Sequence, residues 1–474
     1  MKYIIYLLGV CIFASGATAL ATIIRVPDEY PTIKAGIDAA VDGDTVLVAP
    51  GTYRGEGNRS IGFYGKAIVV MSEKGPEVTI IDCQGSPGGE ENGFFFNSGE
   101  DTSSVLQGFT ITNGWRKYEA GGILCIGSSP TIRGNIVTGN TAGWGGGIYC
   151  SSSSPIIEDN IITNNEAIGY DNGRAGGGGG GIRCALASPI IRRNIIAGNR
   201  SVDLGGGIYC RNQSTPFIAN NIIEDNWADR LGGGIYCDWS SPHIYRNVII
   251  GNEAYRFEGG GIYCCIGSSV TILNSIFWEN IAGGEGDHFY IADSSEVMVT
   301  YSDIEGGWEG EGNIDADPLF LLPDKRDYRL LWDSPCIDTG HPDSLDPDGT
   351  RSDMGAFYFD QSTPITIYLT PDTTVYHRKE NLGVTYTVIN IDPDPVTFSL
   401  RTDVYLPNGK PYPGNPVVGP KEKTLPGGKT KQQRITHYIP GNTPFGVFTY
   451  TTTINSLLSD DILDEDSFRF VIEE

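Results

Sequence analysis

Five side chains gather where short loops enter a recurring glycine-rich element: Asp203, Asp229, Arg230, Arg256 and Glu258. Paired carboxylates at a suitable separation hydrolyse glycosidic bonds, one as acid and the other as base or nucleophile. The same residues also read as a solvated row of alternating charges, the commoner arrangement. A second acidic group, Asp343, Asp346, Asp348 and Asp353, surrounds Pro347-Asp348-Gly349. Oxygen ligands beside a sharp glycine turn suit calcium, although the EF-hand spacing is absent. Asp346, Asp348 and Asp353 are the candidate calcium ligands, with ordinary Asx turns as the other reading. No further cofactor is expected.

Two more sets recur. Cys125, Cys150, Cys184, Cys210, Cys237 and Cys264 each follow an isoleucine by two positions. On a strand they share that isoleucine's face and point inward. Metal-binding cysteines converge on a point, which a line does not. Parallel Cβ vectors about 4.8 Å apart exceed the range a disulfide prefers. Buried thiols packing as small apolar groups is therefore the preferred reading, and strained disulfides the alternative. The residue between isoleucine and cysteine faces the other way: Leu124, Tyr149, Arg183, Tyr209, Tyr236 and Tyr263. The rings of Tyr149, Tyr209, Tyr236 and Tyr263 offer apolar faces to sugars and hydroxyls for hydrogen bonds. Trp227 and Trp239 lie near enough in sequence to widen the platform. A ring stack that only stabilises the sheet is the alternative.

What positions these residues is a repeat. Gly-Gly-Ile-x-Cys ends at each of the six cysteines, with steps of 25, 34, 26, 27 and 27 positions. The long step holds an insertion, Gly169 to Gly178, tipped by Asp171 and Arg174. A second element keeps the same beat: Asn135-Ile-Val-Thr-Gly-Asn140, Asn160-Ile-Ile-Thr-Asn-Asn165, Asn194-Ile-Ile-Ala-Gly-Asn199, Asn221-Ile-Ile-Glu-Asp-Asn226 and Asn247-Val-Ile-Ile-Gly-Asn252. Ser275 and Asn280 continue it. Each unit holds three short alternating segments and cannot bury its own apolar face, but stacked units can. The pattern predicts an all-β fold, a right-handed parallel β-helix of three-stranded coils, with asparagines at left-handed corners bonding along the stack.

The ends differ from the middle. Lys2, the apolar run Ile4 to Phe13 and the small residues Ala17-Thr18-Ala19 and Ala19-Leu20-Ala21 read as an export leader over 1–21. Pro31 to Val41 reads as an amphipathic capping helix, with Ile33, Ile37 and Val41 on one face. The β-helix is assigned to 22–360. Beyond Thr363 cysteines and periodicity stop, and alternating segments separated by turns suggest an immunoglobulin-like β-sandwich over 363–474.

Tyr30-Pro31-Thr32-Ile33 with Gly43-Asp44-Thr45-Val46-Leu47-Val48-Ala49-Pro50-Gly51-Thr52-Tyr53 resembles the opening of bacterial right-handed parallel β-helix repeat proteins of the pectin lyase-like superfamily. Asn313 to Phe320, Ser334 to Gly340 and Asp348-Gly349 through Asp353-Met-Gly-Ala356 resemble its closing segment. The Gly-Gly-Ile and Ile-Ile-x-x-Asn elements are similar to repeats of chlamydial-type polymorphic outer membrane proteins, which are surface adhesins. The resemblance spans about 22 to 360 and implies fold and compartment better than activity. That superfamily includes lyases, glycoside hydrolases and esterases. The Asn-Thr-Asp, Asp-Asp, Gly-His-Gly and Arg-Ile-Lys elements of polygalacturonase-type hydrolases are missing from the helix region, and so is the pectin esterase pattern. No lysine lies between Lys117 and Lys325, which disfavours lyase chemistry with a lysine base and leaves arginine available.

A formal charge of −25 argues against nucleic acid or an anionic membrane as partner. No segment after the leader is long and apolar enough to cross a bilayer. The expectation is a secreted or cell-surface protein that binds polysaccharide or a cell-surface glycan, without catalysis. The alternatives are a polysaccharide lyase or glycoside hydrolase and a structural stalk component.

Overall fold

In a computed structural model, residues 21–170, 176–457, 459 and 461–473 are described. The export leader, apart from Ala21, and the insertion tip with Asp171 and Arg174 lie outside them. The repeats wind into a parallel solenoid. One sheet has eleven strands, from Ile23–Val26 to Glu296–Thr300, and a second has ten, from Gly51–Tyr53 to Asp303–Ile304. The third, which carries the Gly-Gly-Ile-x-Cys elements, has nine, from Ile61–Gly62 to Phe289–Ile291. The three-stranded coil gains a short fourth strand in seven turns, from Trp115–Glu119 to Ile281–Ala282.

Register follows the repeat residue for residue. Ile123, Ile148, Ile182, Ile208, Ile235 and Ile262 pair in sequence up the third sheet, and all are fully buried. Any one-residue slip would turn this column outward, so burial fixes the register. The cysteines form the parallel interior column, unbridged and buried. Contacts among the neighbouring thiols, together with burial, hold Cys150, Cys184 and Cys237 well above the ordinary thiol range.

Two asparagine ladders close the corners on either side of the second sheet. The Asn199 backbone N–H and its Nδ2 both donate to Asn226 Oδ1, at 3.0 Å each. Asn226 repeats the pattern onto Asn252, at 3.1 and 2.9 Å. The asparagines themselves are not left-handed. The residue ahead of each takes the positive φ, as Asp159 (57°), Arg193 (53°), Asp225 (50°) and Arg246 (53°) do. This leaves the asparagine side chain free to turn inward and satisfy buried amides.

The capping helix is shorter than the sequence pattern suggests. It spans Ile33–Ala39, with Thr32 accepting from the Ala35 amide at 3.2 Å. Ile33 and Ile37 are buried, whereas Val41 lies past the C-cap and is exposed. The first strand precedes the helix: Ile23–Val26 pairs with Thr45–Val48.

Beyond 363 two sheets face each other over a common core. One holds Ile365–Pro371, Asn381–Asn390 and Lys429–Tyr438; the other holds Val375–His377, Ile462–Glu473, Gly446–Ser456, Val396–Tyr405 and Val418–Leu425. The opening strand divides between the sheets, and its second half pairs in parallel with the last strand, an immunoglobulin-like arrangement. Arg329 joins the two regions by an ion pair to Asp466 at 2.8 Å.

Candidate functional site

Of the row Asp203, Asp229, Arg230, Arg256 and Glu258, the first four form ion pairs between successive coils. Arg230 meets Asp203 at 3.0 Å and Arg256 meets Asp229 at 3.1 Å. Arg200 and Glu166 continue the diagonal at 3.8 Å. Asp203 and Asp229 are each committed to an arginine of the next coil, and Glu258 is half-buried. This is the alternating charged row. It does not supply the acid and base pair of a glycosidase.

Asp346, Asp348 and Asp353 do not build a calcium cage. Asp346 is buried against Arg246 and accepts the Asp353 amide at 2.9 Å. Asp353 accepts the amides of Asp338 and Phe359 at 2.8 and 2.7 Å, and burial pushes its carboxyl up to about 7. Asp348 takes the Thr350 amide and hydroxyl and the Gln361 amide, at 3.0, 2.7 and 2.9 Å. These oxygens are spent on turns, and the described residues hold no group of His, Cys, Asp or Glu suited to a metal ion.

The tyrosine column faces away from the interior as alternation requires, but it is not an open platform. Tyr149, Tyr209 and Tyr236 are buried. Trp144, Gly178, Leu204 and Leu231 stack as an extra one-residue ladder beside the column, and Leu204 and Leu231 pack on the rings. The ring of Tyr209 fits only because position 178 is glycine: a Cβ there would meet Tyr209 Cδ1 at 2.1 Å. Tyr236 and Tyr263 stack at 5.2 Å, and Tyr263, half-buried, passes the stack to Tyr290 at 5.3 Å. The rings pack on one another and on the sheet, and among the described residues Tyr263 and Tyr290, at the upper end, are less buried than Tyr149, Tyr209 and Tyr236. Arg183, 3% exposed, stands within their column. It has no hydrogen-bond partner at Nε or Nη1 among the described residues and rests on Tyr209 at 4.8 Å and Trp144 at 5.1 Å.

A better-formed site lies on the second sheet. There the segment after the last coil folds back along the solenoid. Phe320, Tyr328, Leu330, Met354 and Ala356 cover Ile222, Val248, Ile250 and Ile276. Tyr328 Oη donates to buried Glu224 at 2.6 Å, and Asn220 Nδ2 donates to the Ala356 carbonyl at 3.3 Å. The cover ends beside half-buried Ile195, leaving a step. At that step opens a cleft of about 670 Å³, lined from the solenoid by Arg193, Ile195, Asn220 and Arg246. Phe357 and Tyr358 line it from the returning segment, Tyr368 from the sandwich and Arg329 from the junction.

The polar groups here are held in place. Arg193 forks onto Asp159 at 2.7 and 2.8 Å. Burial works against the Arg329 charge, but Asp327 and Asp466 hold the guanidinium ionised, and it lies over Tyr368 at 4.4 Å. Phe357 and Tyr358 are 38% and 37% exposed. Fixed arginine forks beside open rings suit an uncharged or mixed polar ligand with flat apolar faces. Sequence reasoning missed these residues because Phe357 and Tyr358 follow no repeat; the one available signal was an aromatic pair just after the acidic turns.

A second surface lies on the eleven-stranded sheet. Its outward residues over four consecutive coils are Phe217, Ala219, His243, Tyr245, Thr271, Leu273, Met298 and Thr300. Ser269 and Glu296 extend the same face at its edge, where the Ser269 hydroxyl donates to the Glu296 carboxylate at 2.7 Å, and Glu296 is the one charged side chain on these four strands' outward face. Phe217 and Tyr245 stack with centroids 6.5 Å apart, and Trp239, at the adjoining corner, is 49% exposed.

Two family models match segments of the solenoid. A family model described as a right-handed β-helix region matches residues 170–295, and a chlamydial polymorphic membrane protein repeat matches 136–151. No curated protein matches the chain. Among solved structures, a Pseudomonas fluorescens alkylpurine DNA glycosylase bound to DNA is 15% identical, covering 24% of this chain and 31% of its own, with a TM-score of 0.19. A CARDB domain from Pyrococcus furiosus, in complex with di-metal ions, is 14% identical over 23% of this chain and 89% of its own, with a TM-score of 0.18. The chain thus spans about a third of the length of the glycosylase. No helix among the described residues is long and apolar enough to cross a membrane.

Proposed function

The chain being a right-handed parallel β-helix repeat protein with polymorphic-membrane-protein-like repeats, we propose that it is an exported surface protein that binds carbohydrate without transforming it. The cleft at the step between solenoid and returning segment carries this reading. It joins the open rings of Phe357 and Tyr358 to arginines already oriented by carboxylates, so a sugar ring can stack while its hydroxyls meet fixed partners. Catalysis is disfavoured because Asp203 and Asp229 are each neutralised by an arginine of the next coil and Asp353, whose carboxyl burial raises to about 7, is buried behind two amides. The face around Phe217 and Tyr245, with Glu296 at its edge, gives an extended polymer a second place to lie.

The test is binding to immobilised neutral and acidic polysaccharides by the wild type and by a Phe357→Ala, Tyr358→Ala variant of verified fold. Loss of at least about tenfold in affinity is expected. Equal binding by both proteins removes the cleft from the account, and release of shortened sugars by either replaces binding with catalysis.

A further inference from the structure

The cleft leaves unexplained a slot in the C-terminal sandwich. Between the edge strands Val418–Leu425 and Lys429–Tyr438, which belong to opposite sheets, the core opens into a space of about 110 Å³. Its walls are apolar, formed by Val388, Phe398, Leu400 and Leu425 among others, and its mouth carries Lys421, Lys423 and Lys431.

We propose that this slot takes the tail of a single-chain anionic amphiphile, a fatty acid, with the carboxylate held at the lysine mouth. Size and charge both point there. The space is on the scale of the ~150 Å³ apolar cavity that accepts benzene, so it suits one narrow chain end and excludes a fused-ring lipid. The chain as a whole carries −25, yet between positions 410 and 434 stand five lysines against a single acid, Glu422, while Arg434 is taken up by an ion pair to Asp372. Lys421, Lys423 and Lys431 are all exposed, and no salt bridge engages any of them among the described residues. Lysines on edge strands also deter strand pairing. That role requires only charge directed to solvent, whereas these three sit around an apolar opening. Their methylene stems extend the apolar wall while the ammonium groups meet the anion in water.

The experiment is calorimetric titration of the whole chain with octanoate and, separately, 1-octanol. Three proteins are compared: wild type, Lys421→Gln/Lys423→Gln/Lys431→Gln, and Leu400→Trp, which fills the slot; near-UV circular dichroism checks each fold. Wild type is expected to bind one octanoate. The lysine variant should lose at least about tenfold for octanoate and little for octanol, because only the head-group contact is gone. Leu400→Trp, if folded, should lose both ligands. The exposed lysine variant keeps the test decisive should Leu400→Trp fail to fold. The proposal is overturned if wild type shows no saturable octanoate binding, if the lysine variant binds octanoate as wild type does, or if it loses octanol equally. Association confined to phosphatidylglycerol vesicles, with no monomer binding, also overturns it.

Discussion

The solenoid and the sandwich solve the same problem of burial by opposite means. In the solenoid each side chain inherits its environment from its place in a coil, so Ile208 has Ile182 below and Ile235 above. Its edges are closed by repetition and by asparagine ladders. In the sandwich, strands far apart in sequence meet antiparallel, as Val396–Tyr405 and Gly446–Ser456 do, and both Val418–Leu425 and Lys429–Tyr438 remain free edges. Repetition gives a rigid surface with few openings. Openings arise where repetition stops: at the step where the returning segment ends, and at the sandwich edge.

That contrast can be broken at several levels. The largest effect is expected from Ile208→Asp, which places an unpaired carboxylate in the interior column. It should cost several kcal/mol, on the order of 3–5, and prevent cooperative folding of the coils while the sandwich core stays intact. Differential scanning calorimetry should then lose the solenoid's unfolding heat and keep the sandwich's; an unchanged trace would contradict the column's role.

Next is Asn226→Ala, which leaves the amide and side chain of Asn199 without their acceptor. A loss of about 1–3 kcal/mol in urea unfolding is expected, and Thr449→Ala, on a half-exposed sandwich position, should change stability far less.

A pH prediction concerns the returning segment. The Asp353 carboxyl is raised to about 7 when folded, against about 3.9 in an unfolded chain. Between these values the folded state holds a proton that the unfolded state has released. Stability from this group therefore rises as pH falls from 8 toward 5 and is lost as pH climbs through 7. Asp353→Asn should flatten that part of the melting-temperature profile; an unchanged slope would place the titration elsewhere.

The smallest effect belongs to the charged row. Arg230→Ala breaks an ion pair whose arginine is half-exposed and should cost no more than about 1 kcal/mol. A larger loss would mean that the row does more than decorate the surface.

Periodicity made the solenoid readable, because side chains that recur every 26 or 27 residues must share a column. It told which way Tyr209 and Tyr236 face. Covering was another matter: the ladder of Leu204 and Leu231 beside them depends on a fourth strand only two residues long in most coils. The return of residues 305–360 over Ile222 to Ile276 was equally hidden, since no repeat links Tyr328 to Glu224 across 104 positions. The acidic turns were visible as a cluster, but their hydrogen bonding to amides, which displaces the calcium reading, depends on the folded path of 338–361.

The central claim is that carbohydrate rests at the step between solenoid and returning segment. Hydrogen exchange with and without the best-binding polysaccharide locates it directly. The account predicts slowed exchange at residues 193–195, 220–222 and 356–358, with the buried tyrosine strands unchanged. Slowing confined to other faces, or no polysaccharide binding at all, would contradict it.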